Sequence, residues 1–189
     1  IYKDNGGMIS AANEAFDLID TEYVIFLDAD DYLMKNCIFE ASSYLDSKPA
    51  LVHFYLQMIN DDKENLKTFP QIEKYKLASG DLIKSILNKG SYIKSSTSGN
   101  IYRTSALKKL MPINDYHYSD DQSYYSQFPL DAYLTNKIIF FGDVVSINKT
   151  LAFYRQHGKN NGATESLWNS QRKRIRSYEL LKNDVNFAI

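Results

Sequence analysis

The sequence predicts a mixed α/β domain, and three observations carry that prediction. Apolar residues at helical spacing (Met8, Ala12, Ala15, Phe16, Ile19) lead straight into a continuous apolar run, Tyr23-Val24-Ile25-Phe26-Leu27. Further β-branched and aromatic runs, Leu51 to Ile59 and Ile101 to Arg103, alternate with helical patterns along the chain. The 189 residues are 44% hydrophobic with only 8 Gly and 4 Pro, enough for one sizeable core and too few breakers for a linker.

Taken in order, Lys3-Asp4-Asn5-Gly6-Gly7 is a turn and the first helix starts at Met8. Asp20-Thr21-Glu22 ends that pattern, and Tyr23 to Leu27 reads as a doubly covered parallel strand. It stops abruptly at Asp28-Ala29-Asp30-Asp31. Ile38 to Leu45 is expected to be a helix, Leu51 to Ile59 a strand and Asn60-Asp61-Asp62 a turn. Glu64 to Tyr75 is polar and weakly patterned. Ser79 is placed to cap a helix carrying Leu82, Ile83, Ile86 and Leu87, which Gly90 closes. A Ser/Thr-rich loop, Ser91 to Asn100, precedes the strand Ile101 to Arg103 and a helix from Ser105 to Leu110. Asp120 to Phe128 looks helical and Pro129 breaks it. Lys137 to Phe141 and Thr150 to Tyr154 are strand-like around a Gly142-Asp143 turn. Glu165 to Leu181 has the spacing of an amphipathic helix with a basic face.

Composition narrows the functional classes. A formal net charge of −1 provides no basic field for nucleic acid. The lone Cys37 rules out an internal disulfide framework and a Cys-rich zinc site, and suits a reducing compartment. No apolar run reaches the roughly 18 residues of a membrane helix. The expectation is a soluble domain, and a start at Ile1 inside a Gly-rich turn suggests a part of a longer one.

Asp28-Ala29-Asp30-Asp31 is the strongest chemical signal. Ligands of open α/β sheets collect beyond the carboxyl ends of strands, and carboxylates crowded there repel unless a cation compensates them. Oxygen donors suit Mg²⁺ or Mn²⁺, commonly with substrate phosphates completing the shell. The alternative is a polar strand exit that caps the next helix. An EF-hand loop starting at Asp28 fails, because it needs Gly at position 33 and Glu at position 39 where the chain has Leu33 and Phe39. A phosphatase with an Asp nucleophile after the strand stays open.

Other residues are more ambiguous. The pair Asp120-Asp121 is either a general base for a hydroxyl or an acidic first helical turn. Tyr154-Arg155-Gln156-His157 is either a diphosphate or metal loop, or ordinary surface. His53 reads as a strand residue, His117 as part of an aromatic loop, and Cys37 as packed inside. Arg172 to Arg176 is a solvated helix face or a contact for anionic lipid.

In this order the segments resemble family-2 glycosyltransferases of the GT-A fold. The matching stretches are Asn5-Gly6-Gly7 with Ala11-Ala12-Asn13, then Glu22 through Leu33. Ser98-Gly99-Asn100-Ile101-Tyr102-Arg103, Asp120-Asp121 and Tyr154-Arg155-Gln156-His157 follow. The resemblance implies a GT-A-like (Rossmann-like) mixed sheet flanked by helices over residues 1–161, with 162–189 as a helical tail. It implies that Asp28 and Asp30 hold a nucleotide sugar and a divalent metal, Mn²⁺ or Mg²⁺, through the diphosphate. Asp30 is then the more direct ligand and His157 approaches the same metal. Asp121, with Asp120 beside it, would deprotonate the acceptor hydroxyl, so that a single displacement inverts the anomeric centre. Asp31, Asn5, Gly7, Asn100 and Arg155 fall at the family's substrate-binding positions.

The expected donor is a UDP-sugar, and the expected acceptor a surface glycan or its lipid-linked precursor. The site would be cytoplasmic, with the basic tail touching the inner face of the membrane. The chain departs from the family pattern in having Ala12 for a frequent Arg, Asp120 for the usual Glu, and Pro129 inside a helix that normally continues. The family's opening strand with its Pro-x-Tyr-Asn-like turn and its second strand ending Asp-Asp-Gly-Ser do not occur here. Those two units form most of the uracil and ribose pocket, so this chain corresponds to the carboxyl-terminal two-thirds of the domain. A non-catalytic glycan-binding relative is the alternative that a missing nucleotide half and 15 tyrosines suggest.

Overall fold

The apolar stripe from Met8 forms helix α1 (Gly7–Phe16), which buries Ala12 and Phe16 against the sheet. The protein is described by a computed structural model, in which residues 2–114 and 130–157 are placed. Strand β1 (Tyr23–Ile25) follows, then the two-residue strand β2 (Tyr32–Leu33), helix α2 (Cys37–Ser42) and strand β3 (Leu51–Ile59). The rest of the described chain is β4 (Asn65–Phe69), α3 (Ile83–Lys89), β5 (Asn100–Arg103), α4 (Thr104–Leu107), α5 (Leu130–Ile138) and β6 (Val144–Arg155).

These strands form one six-stranded sheet in the order β1-β5-β3-β6-β2, with β4 also paired to β3. The β3–β6 pair is parallel; β1–β5, β5–β3, β3–β4 and β2–β6 are antiparallel. Because β5 runs against both β1 and β3, the strands β1, β3 and β6 all point the same way. Their carboxyl ends therefore share one edge of the sheet, and that edge carries Asp28 to Asp31, Asp61 and Arg155 to His157.

Side chains alternate across the pleat, so each strand supplies two cores. On one face Leu51, Tyr102 and Val144 pack with α1, α3, α4 and α5 through Phe16, Ile86, Leu107, Leu134 and Ile138. On the other, Val52, Phe54, Leu56 and Leu151 pack with Cys37 and Ala41 of α2. Burying each such Leu, Ile or Phe stabilises the fold by roughly 1.5–3 kcal/mol before the entropy of ordering is counted. Among the described residues no helix is long and apolar enough to cross a membrane.

Several expectations are corrected. Tyr23 to Leu27 shortens to a three-residue strand that is half-buried and hydrogen-bonded to an antiparallel neighbour, although it runs in the direction expected for a parallel unit. Lys137 to Phe141 is not a strand: it is the last turn of α5 and a short 3₁₀ turn, Ile139–Phe141. A buried helix end is as continuously apolar as a strand, and so short a run does not separate them. Glu64 to Tyr75 contains β4, an exposed edge strand whose polar residues hide its pattern. Strand β6 is far longer than Thr150 to Tyr154, because Asn148 and Lys149 bulge outward between Ile147 and Thr150 and break the alternation. The bulge sends Lys149 to Glu40 of α2 at 2.6 Å.

Gly90 closes α3 in the left-handed conformation (φ 69°), as expected, but Ser79 does not cap it. Leu82 stands at the N-cap position, Asp81 just before it accepts the amide of Ile83 at 2.9 Å, and the Ser79 hydroxyl donates to the Val144 carbonyl at 3.1 Å. The helices expected over Asp120 to Phe128 and Glu165 to Leu181, together with Pro129, His117 and the 162–189 tail, lie outside the described residues.

His53 in the middle of β3 is fully enclosed, with Nε2 bonded to the Ala78 carbonyl at 2.7 Å. Burial holds its pKa down to about 4, against an ordinary 6.5, and the Lys94 charge adds to this. The unfolded chain therefore binds the extra proton first, and stability contributed by His53 is lost as pH falls from about 6.5 towards 4. His53→Phe is expected to be the less stable protein at pH 7, having lost the hydrogen bond, with the gap narrowing on acidification. Urea unfolding of both proteins at pH 7 and pH 4.5 checks this; a constant gap contradicts it.

Candidate active site

The apolar strand ends because Asp28, Asp30 and Asp31 cannot follow β1 into the sheet, and the chain turns there. The Asp31 amide donates to the Asp28 carbonyl at 3.0 Å, closing a turn over Asp28-Ala29-Asp30-Asp31. The Asp28 amide donates to the Ser98 hydroxyl at 3.0 Å, which ties the turn to a second one 70 residues away. That second turn is the 3₁₀ segment Thr97–Gly99 at the entrance to β5.

Each acidic side chain meets a different environment. The Asp28 carboxylate accepts a hydrogen bond from the Thr97 side chain, but burial and then the Asp31 charge push its pKa up to about 6. Asp31 is buried; its Oδ1 accepts the backbone amide of Arg155 at 3.1 Å. Burial raises its pKa as well, with the Ser98 side chain and the Arg155 amide pulling the other way. Asp30 faces outward: Oδ2 meets His157 Nε2 at 2.8 Å, with the two side chains 34% and 24% exposed. An acid–imidazole pair thus stands at the open edge, beside one half-buried carboxylate, Asp28, and one buried one, Asp31.

Sequence reasoning placed Asp28, Asp30, Asp31 and His157 in one site, and the structure brings them together. It does not converge Asp28, Asp30 and His157 on one point. Among the described residues no group of three or more His, Cys, Asp or Glu is arranged to hold a metal ion. Asp28 turns to Thr97 instead, leaving Asp30 and His157 as the facing donors. Arg155 enters the site through its amide, while its guanidinium pairs with Asp61 at 2.9 Å in the turn after β3. Asn100 is fully buried and donates to the Ser96 carbonyl at 2.6 Å, so it shapes the 97–99 turn from beneath. Asn5 and Gly7 form their own turn at the start of α1, where Asn5 Oδ1 accepts the Gly7 amide at 3.0 Å. Asp120 and Asp121 lie outside the described residues.

Four residues received no individual role in the sequence reading. Thr97 and Ser98 hold the acidic turn, and only their place in a Ser/Thr-rich loop before a strand hinted at it. Lys94, in the same loop, donates to Asn136 Oδ1 and lies near Asp131 at the start of α5. Burial lowers Lys94 to about 8 and raises Asp131, and each charge partly offsets the other's shift. Asn13 of α1 clamps the backbone of Ile113: Nδ2 donates to the Ile113 carbonyl at 3.2 Å and Oδ1 accepts its amide at 2.8 Å. This fixes the chain just before the segment that carries Asp120 and Asp121.

Residues 1–134 match the family model described as Glycosyl transferase family 2. The chain belongs to that family. An uncharacterised glycosyltransferase of Nostoc sp. (strain PCC 7120 / SAG 25.82 / UTEX 2576) is 30% identical over 165 residues, which cover 85% of this chain and 48% of the relative. The chain therefore spans about half the length of that curated relative. Among solved structures, S. aureus TarS 1–349 in complex with UDP-GlcNAc superposes with a TM-score of 0.55 at 16% identity, covering 88% of this chain and 44% of TarS. That likeness shows the fold: a mixed sheet with flanking helices of the glycosyltransferase GT-A kind.

Within this family-2 domain the 97–99 turn depends on Gly99. A Cβ there would lie 1.9 Å from Ser95 Oγ and 2.9 Å from the Phe54 carbonyl oxygen of β3. The serine hydroxyl can rotate away but the strand carbonyl cannot. Gly99→Ala is expected to cost about 1–3 kcal/mol in urea unfolding and to lower turnover further by moving Thr97 and Ser98 off Asp28. Unchanged stability and activity would contradict the placement of this turn.

Proposed function

We propose that this chain carries the reacting centre of an inverting, divalent-cation-dependent glycosyltransferase. It moves a sugar from a nucleotide-sugar donor, in the first place a UDP-sugar, to a hydroxyl of a glycan or lipid-linked acceptor in surface polysaccharide synthesis. The observation that carries the proposal is the facing of Asp30 and His157 at the exit of β1, over the buried turn of Asp28 and Asp31. The family membership supports the reaction class, and the UDP-GlcNAc complex of TarS supports the donor class.

The donor set fits a small hard cation. One carboxylate and one imidazole make an incomplete shell, of the kind that Mn²⁺ or Mg²⁺ fills with substrate phosphate oxygens rather than with further protein ligands. Asp30 and His157 would hold it, with Asp28 adding charge from beneath, and the bound cation would supply positive charge to the departing diphosphate. Asp31, pinned by the Arg155 amide, keeps the turn rigid so that Asp30 points outward. Asp121, assisted by Asp120, takes the proton of the acceptor hydroxyl as its oxygen bonds to the anomeric carbon. The bond from that carbon to the diphosphate oxygen breaks on the opposite face, and the configuration inverts. The active face is assigned to the cytoplasmic side, with the basic residues Arg172 to Arg176 offering peripheral contact with anionic lipid.

The test is release of nucleoside diphosphate from a panel of nucleotide sugars by the full-length protein, with and without Mn²⁺. Mn²⁺-stimulated release from at least one donor is the expected result. Absence of release from every donor contradicts the proposal. Asp28-dependent phosphate release from a generic phosphoester would favour a phosphatase instead.

A further inference from the structure

Residues 91–96 form neither helix nor strand, so side-chain anchors decide where the 97–99 turn behind Asp28 sits. Two of these anchors go to α5. The Tyr92 hydroxyl donates to the Thr135 carbonyl at 2.7 Å, both residues being buried. Lys94 Nζ donates to Asn136 Oδ1, with the ammonium 5.4 Å from the centroid of the Tyr92 ring. Between them the Ile93 carbonyl accepts the Ala78 amide at 3.0 Å. From Lys94 the chain runs directly into a compact turn. The Ser96 carbonyl accepts both the Gly99 amide at 2.9 Å and Asn100 Nδ2 at 2.6 Å. That turn carries Thr97 and Ser98, which bond the Asp28 carboxylate and the Asp28 amide.

The two links to α5 differ in kind. The Tyr92 ring belongs to the apolar core. Lys94 is half-buried, and the loss of hydration lowers its pKa to about 8. A side chain that only filled this space would cost less as methionine or leucine. The ammonium instead gives a charge-assisted hydrogen bond to a helix packed on the sheet, and of these anchors it is the one nearest Thr97 in sequence. Asp131, in the first turn of α5, supplies an opposite charge whose field reaches both Lys94 and Asp28. Bonds and charge therefore both connect Lys94 to the acidic turn.

Resting on the transferase reading given above, we propose that Lys94 is a positioning residue of the donor site. Tethered to Asn136 of α5, it holds residues 94–98 so that Thr97 and Ser98 keep the Asp28 turn in the geometry that receives the cation and the diphosphate.

Two measurements on the full-length protein test this together. One is hydrogen exchange, read by mass spectrometry on peptides covering residues 27–31; the other is calorimetric titration of UDP with Mn²⁺. In Lys94→Met the amides of the acidic turn are expected to exchange about tenfold faster, with those of Val52 to Phe54 unchanged. UDP affinity should fall by about 5- to 20-fold. Lys94→Arg keeps a cationic donor and should restore both. Thr97→Val should lose a similar factor of affinity. The double variant Lys94→Met/Thr97→Val should lose no more than the larger single loss, because both changes act on the same bond. Lys84→Met, on the exposed face of α3, is the control and should change neither readout. Thermal melts confirm that each variant is folded. UDP affinity within twofold in Lys94→Met overturns the proposal, as do losses that multiply in the double variant. Exchange that quickens equally in β3 also overturns it, because Lys94 would then support the fold as a whole. If the unsubstituted protein does not bind UDP with Mn²⁺, the transferase reading falls. Exchange confined to the acidic turn would then still uphold the tether, and unchanged exchange would overturn it.

Discussion

Replacing Asp30 by alanine is expected to lower nucleotide-sugar turnover by at least about a hundredfold while leaving the protein folded. Asp30 is a third exposed and its carboxylate meets His157 in a part-solvated pair, an arrangement that contributes little to stability, at most about 1 kcal/mol. Its proposed value lies in the reaction, where charge builds on the leaving diphosphate oxygen. Removing one group that stabilises such a charge typically costs about 10²–10³ in rate. Part of the loss should appear as weaker cation binding, so raising Mn²⁺ ought to recover some activity in Asp30→Ala. His157→Ala is expected to follow the same pattern more mildly, since an imidazole contributes no charge when neutral. Steady-state release of nucleoside diphosphate at several Mn²⁺ concentrations checks both. Turnover within twofold of the unsubstituted protein would remove Asp30 from the mechanism.

Asp121→Asn is expected to be as damaging, in a different way. An amide keeps the shape and hydrogen-bonding reach of the carboxylate but cannot accept the hydroxyl proton. A positioned general base contributes typically about 10²–10⁴ in rate. Donor affinity should survive, so the expected signature is a fall in kcat for transfer with an unchanged dissociation constant for the nucleotide. Asp120→Asn should lose less, because the first member of the pair is assigned a supporting role. The chain approaches this acidic pair from a fixed point, Ile113 clamped by both polar atoms of Asn13. Asn13→Ala, which releases that clamp, is therefore expected to lower transfer while retaining Asp30-dependent nucleotide binding. Full transfer by Asp121→Asn would move the base elsewhere.

What could be read from the sequence followed the range of the forces involved. Leu51–Ile59 and Gly90 were legible because a buried strand and a left-handed helix end each leave a mark on adjacent residues. The acidic turn was legible for the same reason, since an apolar run cut off by three carboxylates is a local event. Lys137 to Phe141 was misread because a buried helix end and a strand bury similar residues, and the packing of α5 on the sheet decides between them. Strand β4 was invisible because its outer position lets Lys67 and Asn65 face solvent. Contacts between distant segments were hardest. Asp30 and His157 are 127 residues apart, and no spacing joins them; only the family resemblance did. Thr97 and Lys94 lacked even that, and Ser98 had it only as one residue of a matching stretch, because a hydroxyl or amine that serves a turn across the sheet looks like any loop residue. Arg155 illustrates the limit: its side chain goes to Asp61, and it is its backbone amide that meets Asp31.

The central claim is that the exit of β1 binds the diphosphate of a nucleotide sugar with the help of a divalent cation. Calorimetric titration of UDP into the full-length protein tests it most directly, with Mn²⁺, with the metal chelated, and with Mn²⁺ in Asp30→Ala. The account predicts binding in the first case and at least a tenfold loss of affinity in the other two. Equal affinity in all three would contradict it.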